Sequence, residues 1–187
     1  MSTYRSLAGA LAAAVALAAI PSLRAAGPAQ DDGTPYLTIL SANIAEESFA
    51  EEKPMLERLA TLTITVAGRP VCGRDGAALS YAFLVDADRS KATGAVTRAF
   101  GELGIDAKLE IRCDATTGRL SSTLGEVAVQ PAGGSPQAHT IQLTTRVGRL
   151  PSVNFYWVAM AREGRRFDRL PAAGRSGAWR IAELWIG

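Results

Sequence analysis

The sequence predicts an α+β domain: a mainly antiparallel sheet with two helices and a C-terminal β-meander. Three observations point there. Residues 105–113 (IDAKLEIRC) alternate apolar and charged without a break, the period of a half-buried strand. Two stretches, around 43–60 and 92–103, carry apolar residues at helical spacing next to helix-capping residues. The chain after residue 120 then reads as four strands separated by Gly/Pro loops.

The N-terminus stands apart from this pattern. Arg5 precedes an unbroken apolar run over residues 7–20 (LAGALAAAVALAAI), ended by Pro21 and followed by the small residues Ala25, Ala26, Gly27 and Ala29. That is the pattern of a signal peptide over residues 1–27, cleaved between 25 and 29. At ~1.5 Å per residue the run would reach about 21 Å as a helix, short of a bilayer core, so a secreted rather than membrane-spanning product is expected. Residues 28–35 (PAQDDGTP) read as a flexible leader, and residues 36–187 as a single domain in the periplasm or outside the cell of a bacterium.

Within the domain, residues 36–41 suggest a short strand. Asn43 with Glu46 three residues on resembles a capping box opening a helix to about residue 60, divided at Pro54. Residues 61–67 alternate Thr with Leu62, Ile64 and Val66 as a strand, and 78–85 form the next. Asp86, Asp88 and Ser90 lead into the second helix, with Val96, Ala99, Phe100 and Leu103 on one face and Gly104 at its end. Further strands are expected at 105–113, 120–130, 140–147, 153–162 and 178–186, the stretch GRRFDRLPAAGRSG being a long loop.

Two arrangements fit this order. One is ferredoxin-like; the other is a nuclear-transport-factor-like cone, in which residues 36–41 join the helical region. The cysteines bear on the choice. Cys72 and Cys113, the only two, form one disulfide in an exported chain and close a loop of about 42 residues. A ferredoxin-like sheet would hold them a strand length apart, beyond the roughly 7 Å between Cα atoms that a disulfide allows.

Composition narrows the chemistry. Without Arg5 and Arg24 the chain holds 18 acidic and 18 basic residues, so whole-molecule steering to nucleic acid is not indicated. The charge is uneven, about −5 over residues 30–115 and +5 over 116–187. His139 is the only histidine, which excludes zinc sites built on several histidines, and no nucleophile motif or phosphate loop is present, so no cofactor is expected. Ser135 lies near His139 in a Pro/Gly loop unsuited to hold a nucleophile. Asp86, Asp88 and Ser90 have the alternation of a calcium loop, but Lys91 and Thr97 occupy the glycine and glutamate positions, so helix capping is expected and no metal site. Glu46, Glu47, Glu51 and Glu52 read as a solvated helix face.

The most suggestive feature is the C-terminal arginine group: Arg162, Arg165, Arg166 and Arg169, then Arg175 and Arg180, with Trp179 among them and Phe167, Trp157 and Trp185 nearby. Arginine beside aromatics suits capture of carboxylate or phosphate and is enriched in protein interfaces. These residues form the candidate partner-binding site. The function expected is an exported, non-catalytic envelope protein acting as a binding or interaction module, its partner a protein or an anionic envelope component, with self-interaction between the arginines and the acidic 46–52 segment, within the molecule or between copies as a homo-oligomer, an open variant. A periplasmic carrier of a small apolar or amphipathic ligand is the alternative, and a carboxylate-based hydrolase or isomerase the remote one.

Overall fold

A computed structural model describes residues 22–23, 34–46, 54–72, 77–95, 103–114, 116–133 and 135–181. These residues form two antiparallel sheets packed face to face. Sheet A runs β1 (Ser22–Leu23), β2 (Ile39–Glu46), β3 (Leu59–Val66), β8 (His139–Arg146) and β7 (Glu126–Pro131). Sheet B runs β10 (Arg166–Leu170), β9 (Asn154–Glu163), β4 (Leu79–Asp86), β5 (Ala107–Asp114) and β6 (Arg119–Ser121), and β11 (Gly177–Arg180) also pairs β9. The fold is therefore mainly β, not α+β, and among the described residues there is no α-helix.

Period-two patterning fixes which faces meet. Ala42, Ile44, Leu62, Ile64, Val66, Ile141 and Leu143 of sheet A face Tyr81, Phe83, Val85, Leu109, Ile111, Phe155 and Trp157 of sheet B across one core. Strand β4 is buried at all eight positions. Its outward residues Ala82 and Leu84, with Val158 and Met160 of β9, lie beneath Leu103, so sheet B is covered on both faces along its centre.

The first expected helix is overturned by β2 and β3. Residues 43–46 lie in β2, paired from Asn43↔Thr63 to Glu46↔Ala60; residues 47–53 lie outside the described residues, and among those described Met55–Glu57 form a single 3-10 turn. The misleading spacing has a cause: a register shift between Ile39 and Ser41 inserts an extra residue, so the inward residues Ile39, Ala42 and Ile44 are spaced three and two apart. Of the second expected helix, residues 96–102 lie outside the described residues. Its start is a turn, after which Ala95 bridges to Ile105. Gly104 packs where a Cβ would sit 2.1 Å from the Thr93 carbonyl oxygen, so it is a close-approach glycine rather than a helix cap.

The C-terminal meander is also corrected. Strands β7 and β8 form a hairpin in sheet A, but the chain then crosses to sheet B, where β9 takes its place beside β4. A strand the sequence concealed, β10, folds back on β9 through a two-residue turn at Gly164, whose φ of 58° favours glycine. The ferredoxin-like and cone arrangements both fall, because the strands divide between two packed antiparallel sheets.

The disulfide between Cys72 and Cys113 is present, with Cα atoms 5.5 Å apart. Residues 67–78 carry the chain from the end of β3 in sheet A to the start of β4 in sheet B, and the bond clamps this crossover to the end of β5. A crossover between sheets, rather than a turn within one, is what brings the cysteines together.

Candidate functional site

The hairpin β9–β10 positions the C-terminal arginines. Glu163 pairs with Arg166 and Arg162 with Phe167, with Gly164 and Arg165 at the tip. Strand alternation turns Tyr156, Val158, Met160 and Arg162 outward and Phe155, Trp157, Ala159, Ala161 and Glu163 inward. Arg162, Arg165 and Arg166 are exposed at one end of sheet B. Arg162 Nε donates to the Gly164 carbonyl at 2.9 Å, which orients its guanidinium along the hairpin.

The remaining arginines are not gathered with these. Arg169 sits one outward position further in, opposite Met160, and braces the following loop by donating from Nε to the Pro171 carbonyl at 3.2 Å and from Nη2 to the Arg175 carbonyl at 3.4 Å. Burial holds its guanidinium below the ordinary value. Arg175 is exposed on that loop. Arg180 pairs with Asn154, eight residues along β9 from Arg162, about 26 Å away at ~3.3 Å per residue. Trp179 is a core residue, 6% exposed and packed on Phe155 with ring centroids 5.0 Å apart. Trp157 is likewise buried, edge-on to Phe83 at 5.2 Å, while Trp185 lies outside the described residues.

The structure adds two arginines that sequence spacing does not connect to the group. In register across sheet B, Phe167 lies beside Arg162, Arg162 beside Ser80, Ser80 beside Arg112, and Arg112 beside Ser121. Two residues further toward the same end, on the same face, Arg119 pairs with Asp114. The even residues of 105–113 were legible as an outward charged row, but which end of which sheet they would join was not.

Two carboxylates at this end are already engaged. Burial raises the pKa of Glu110, but Lys108 and Arg112, both in contact with it, outweigh that and hold the carboxyl below its ordinary value. Asp114 accepts the amides of Thr116 at 2.7 Å and Thr117 at 3.1 Å, which lowers its pKa and closes the β5–β6 turn.

At the opposite end of sheet B, Asp86, Asp88 and Asp106 bring carboxylate oxygens within 4.8 Å of one another. These three are the described residues that could hold a cation. Asp106, which sequence reading left out, immediately precedes β5 and accepts the amide of Ala87 at 2.8 Å. Asp86 accepts the Ser90 amide at 3.0 Å; Asp88 accepts the same amide at 2.9 Å and the Thr93 hydroxyl at 2.7 Å. Burial pushes Asp86 up against the lowering effect of amides from Ser90, Gly104 and Arg89, whereas the Thr93 hydroxyl and the Ser90 amide pull Asp88 down. Backbone donors thus satisfy the cluster, and its evident work is to tie the 86–95 loop to β5.

A buried polar knot lies between the sheets behind the hairpin. The Tyr36 hydroxyl donates to Glu163 Oε2 at 2.8 Å, and the Tyr81 hydroxyl donates to the Tyr36 carbonyl at 2.8 Å. Burial first, then the neighbouring Tyr36 and Glu163, drive the Tyr81 phenol far above its ordinary range. Glu163 Oε1 and Trp157 Nε1 are buried with no hydrogen-bond partner.

His139 Nδ1 lies 3.0 Å from the Gln137 carbonyl, and the Ser135 hydroxyl accepts the Ala138 amide at 3.4 Å, so both serve the loop backbone. Glu46 pairs with Arg58 at 3.0 Å, while Glu47, Glu51 and Glu52 lie outside the described residues.

No protein-family model, curated protein or solved structure matches the chain.

Proposed function

We propose that the protein is an exported, non-catalytic binding module of the cell envelope that engages an anionic partner through the arginine-bearing end of sheet B. The observation that carries this reading is the exposure of Arg162, Arg165 and Arg166 on one hairpin, beside Phe167 at 49% exposure. Guanidinium groups pair with carboxylates bidentately, and an adjacent aromatic adds apolar contact area that point charges lack.

The disulfide is compatible with an oxidising compartment and supports the export reading drawn from residues 1–27, whose removal would take β1 from the edge of sheet A and leave β2 as the edge strand. Dense packing between the sheets favours a surface over an interior ligand site. Gly177, for example, lies so close to the Trp157 ring that a Cβ there would stand 2.3 Å from Cε2.

The test is native mass spectrometry and salt elution of the protein from its own envelope fraction, comparing wild type with Arg165→Glu/Arg166→Glu. A complex that dissociates with salt and is absent from the variant supports the reading. A lone monomer carrying a small non-covalent adduct, unchanged in the variant, replaces it with the carrier.

A further inference from the structure

The arginine hairpin is one end of a longer feature. Pairing register places Phe167, Arg162, Ser80, Arg112 and Ser121 in a single row on the outer face of sheet B, running across five strands. Four inter-strand spacings of ~4.8 Å make the row about 19 Å long. Arg162 and Arg112 stand two strands apart, with the buried Ser80 between them; Arg112 is 77% exposed at its side chain, and Phe167 closes one end at 49% exposure. Arg119 shares this outer face one outward position nearer the sheet end, Arg165 is exposed at the hairpin tip, and Arg166, paired with the inward-facing Glu163, is exposed on the other face of β10. The carboxylates near the row are Glu110, held between Lys108 and Arg112, Asp114, closing its turn, and Glu163, buried behind the sheet and accepting from Tyr36. Positive charge therefore dominates the outer side.

We propose that this row is a docking stripe for an extended acidic polypeptide segment lying across the strands. The proposal rests on the binding-module reading and names its partner. Charge complementarity calls for a polyanion, and the length of the row calls for a chain rather than a point anion, since about six extended residues at ~3.3 Å each would cover it. Arginine forks separated by serine positions suit carboxylates that need both a charge and a directed hydrogen bond. A single exposed aromatic offers an anchor for one apolar side chain, whereas a nucleic-acid strand would call for a series of stacking platforms.

The decisive measurement is fluorescence anisotropy of a labelled oligoglutamate peptide bearing one terminal leucine, titrated with the full chain at low and physiological salt. Saturable binding, weakened by salt and reduced at least tenfold by Arg112→Glu/Arg119→Glu, is the expected result. Arg146→Glu, on sheet A, should leave the affinity within about twofold, and Arg112→Gln should give an intermediate loss if the reversal variant folds poorly by circular dichroism.

If Arg165→Glu/Arg166→Glu abolishes peptide binding while Arg112→Glu/Arg119→Glu does not, the site is the hairpin tip alone. The stripe is then overturned and the binding-module reading stands. If the wild type ignores the peptide but binds phosphatidylglycerol vesicles or a single-stranded oligonucleotide, the acidic-polypeptide assignment is overturned in favour of that partner. Binding to none of the three overturns both readings.

Discussion

The backbone amide of Ile39 donates to Asp168 Oδ2 at 2.9 Å, so a carboxylate from the edge strand of sheet B caps the edge of sheet A. The contact lies where β2 departs from regular pairing, between Ile39 and Ser41, and leaves an amide that no strand satisfies. On the other side of the sandwich the sheets are joined covalently, β6 leading into β7 through a link pinned by Ser122 Oγ to the Glu110 carbonyl at 2.7 Å. Ile39 and Asp168 are thus the non-covalent half of the closure. Asp168→Ala strands a buried-side amide and should cost about 1–3 kcal/mol, while Asp168→Asn keeps an acceptor and should cost less. Urea unfolding gives the magnitudes, and faster hydrogen exchange at the Ile39 amide in the alanine variant locates the effect.

Tyr36 and Glu163 form the second pair on which the hairpin depends. Glu163 is 3% exposed, has one buried oxygen without a partner, and receives its hydrogen bond from Tyr36. Tyr36→Phe leaves the carboxylate with no hydrogen-bond donor from that ring and should destabilise by about 1–3 kcal/mol. Glu163→Gln keeps an acceptor for Tyr36 and should cost less than Tyr36→Phe. In the double variant Tyr36→Phe/Glu163→Leu neither polar group remains, so the measured loss should be smaller than the sum of the single losses from Tyr36→Phe and Glu163→Leu.

The cysteine pair predicts a larger effect. Cys72 and Cys113 are 41 residues apart, and closing a loop of that length stabilises by about 4 kcal/mol in the chain-entropy model. Cys72→Ser/Cys113→Ser should lower the urea midpoint by a corresponding amount with little change in the far-ultraviolet spectrum. The double serine variant is the right comparison, because a single replacement would leave a reactive thiol.

How far the sequence could be read depended on where period two was intact. Strands near 61–67, 78–85, 105–113, 140–147 and 153–162 match β3, β4, β5, β8 and β9 to within one or two residues, because each alternates cleanly or is continuously apolar. Strand β2 was read only as a short strand at 36–41 and its second half as helix, because its bulge spaces Ile39, Ala42 and Ile44 unevenly and the capping-box pair Asn43 and Glu46 suggested a helix start. Strand β10 was lost because only Leu170 of its five residues is buried, leaving no apolar face to see. Residues 120–130 were read as one strand because Ser122 to Gly125 make a link between sheets rather than a hairpin turn. The arginine group was visible as composition, but Arg112 and Arg119 join it only through pairing between strands far apart in sequence, and Trp179 leaves it because alternation turns that ring into the core.

A last prediction concerns pH and the loop end of sheet B. Asp86 is 1% exposed, and burial raises its pKa above the ordinary value of 3.8, an effect the amides of Ser90, Gly104 and Arg89 only partly offset. A carboxyl whose folded pKa lies above its unfolded one binds its proton more tightly in the native state. It therefore contributes its full stabilisation below the unfolded pKa and loses it as pH rises through the raised value. Asp88 has the opposite sign: its pKa is lowered, so its contribution is present above the ordinary value and is lost as pH falls through the lowered one. Asp86→Asn keeps an oxygen for the Ser90 amide and removes only the first of these effects. Its stability relative to wild type should improve from pH 3.5 to pH 7, whereas Asp88→Asn should worsen across the same window. Urea unfolding of the three proteins at several pH values reads both slopes. Parallel curves for Asp86→Asn and wild type would show that the buried carboxyl gains as much from the amides around it as it loses on leaving water.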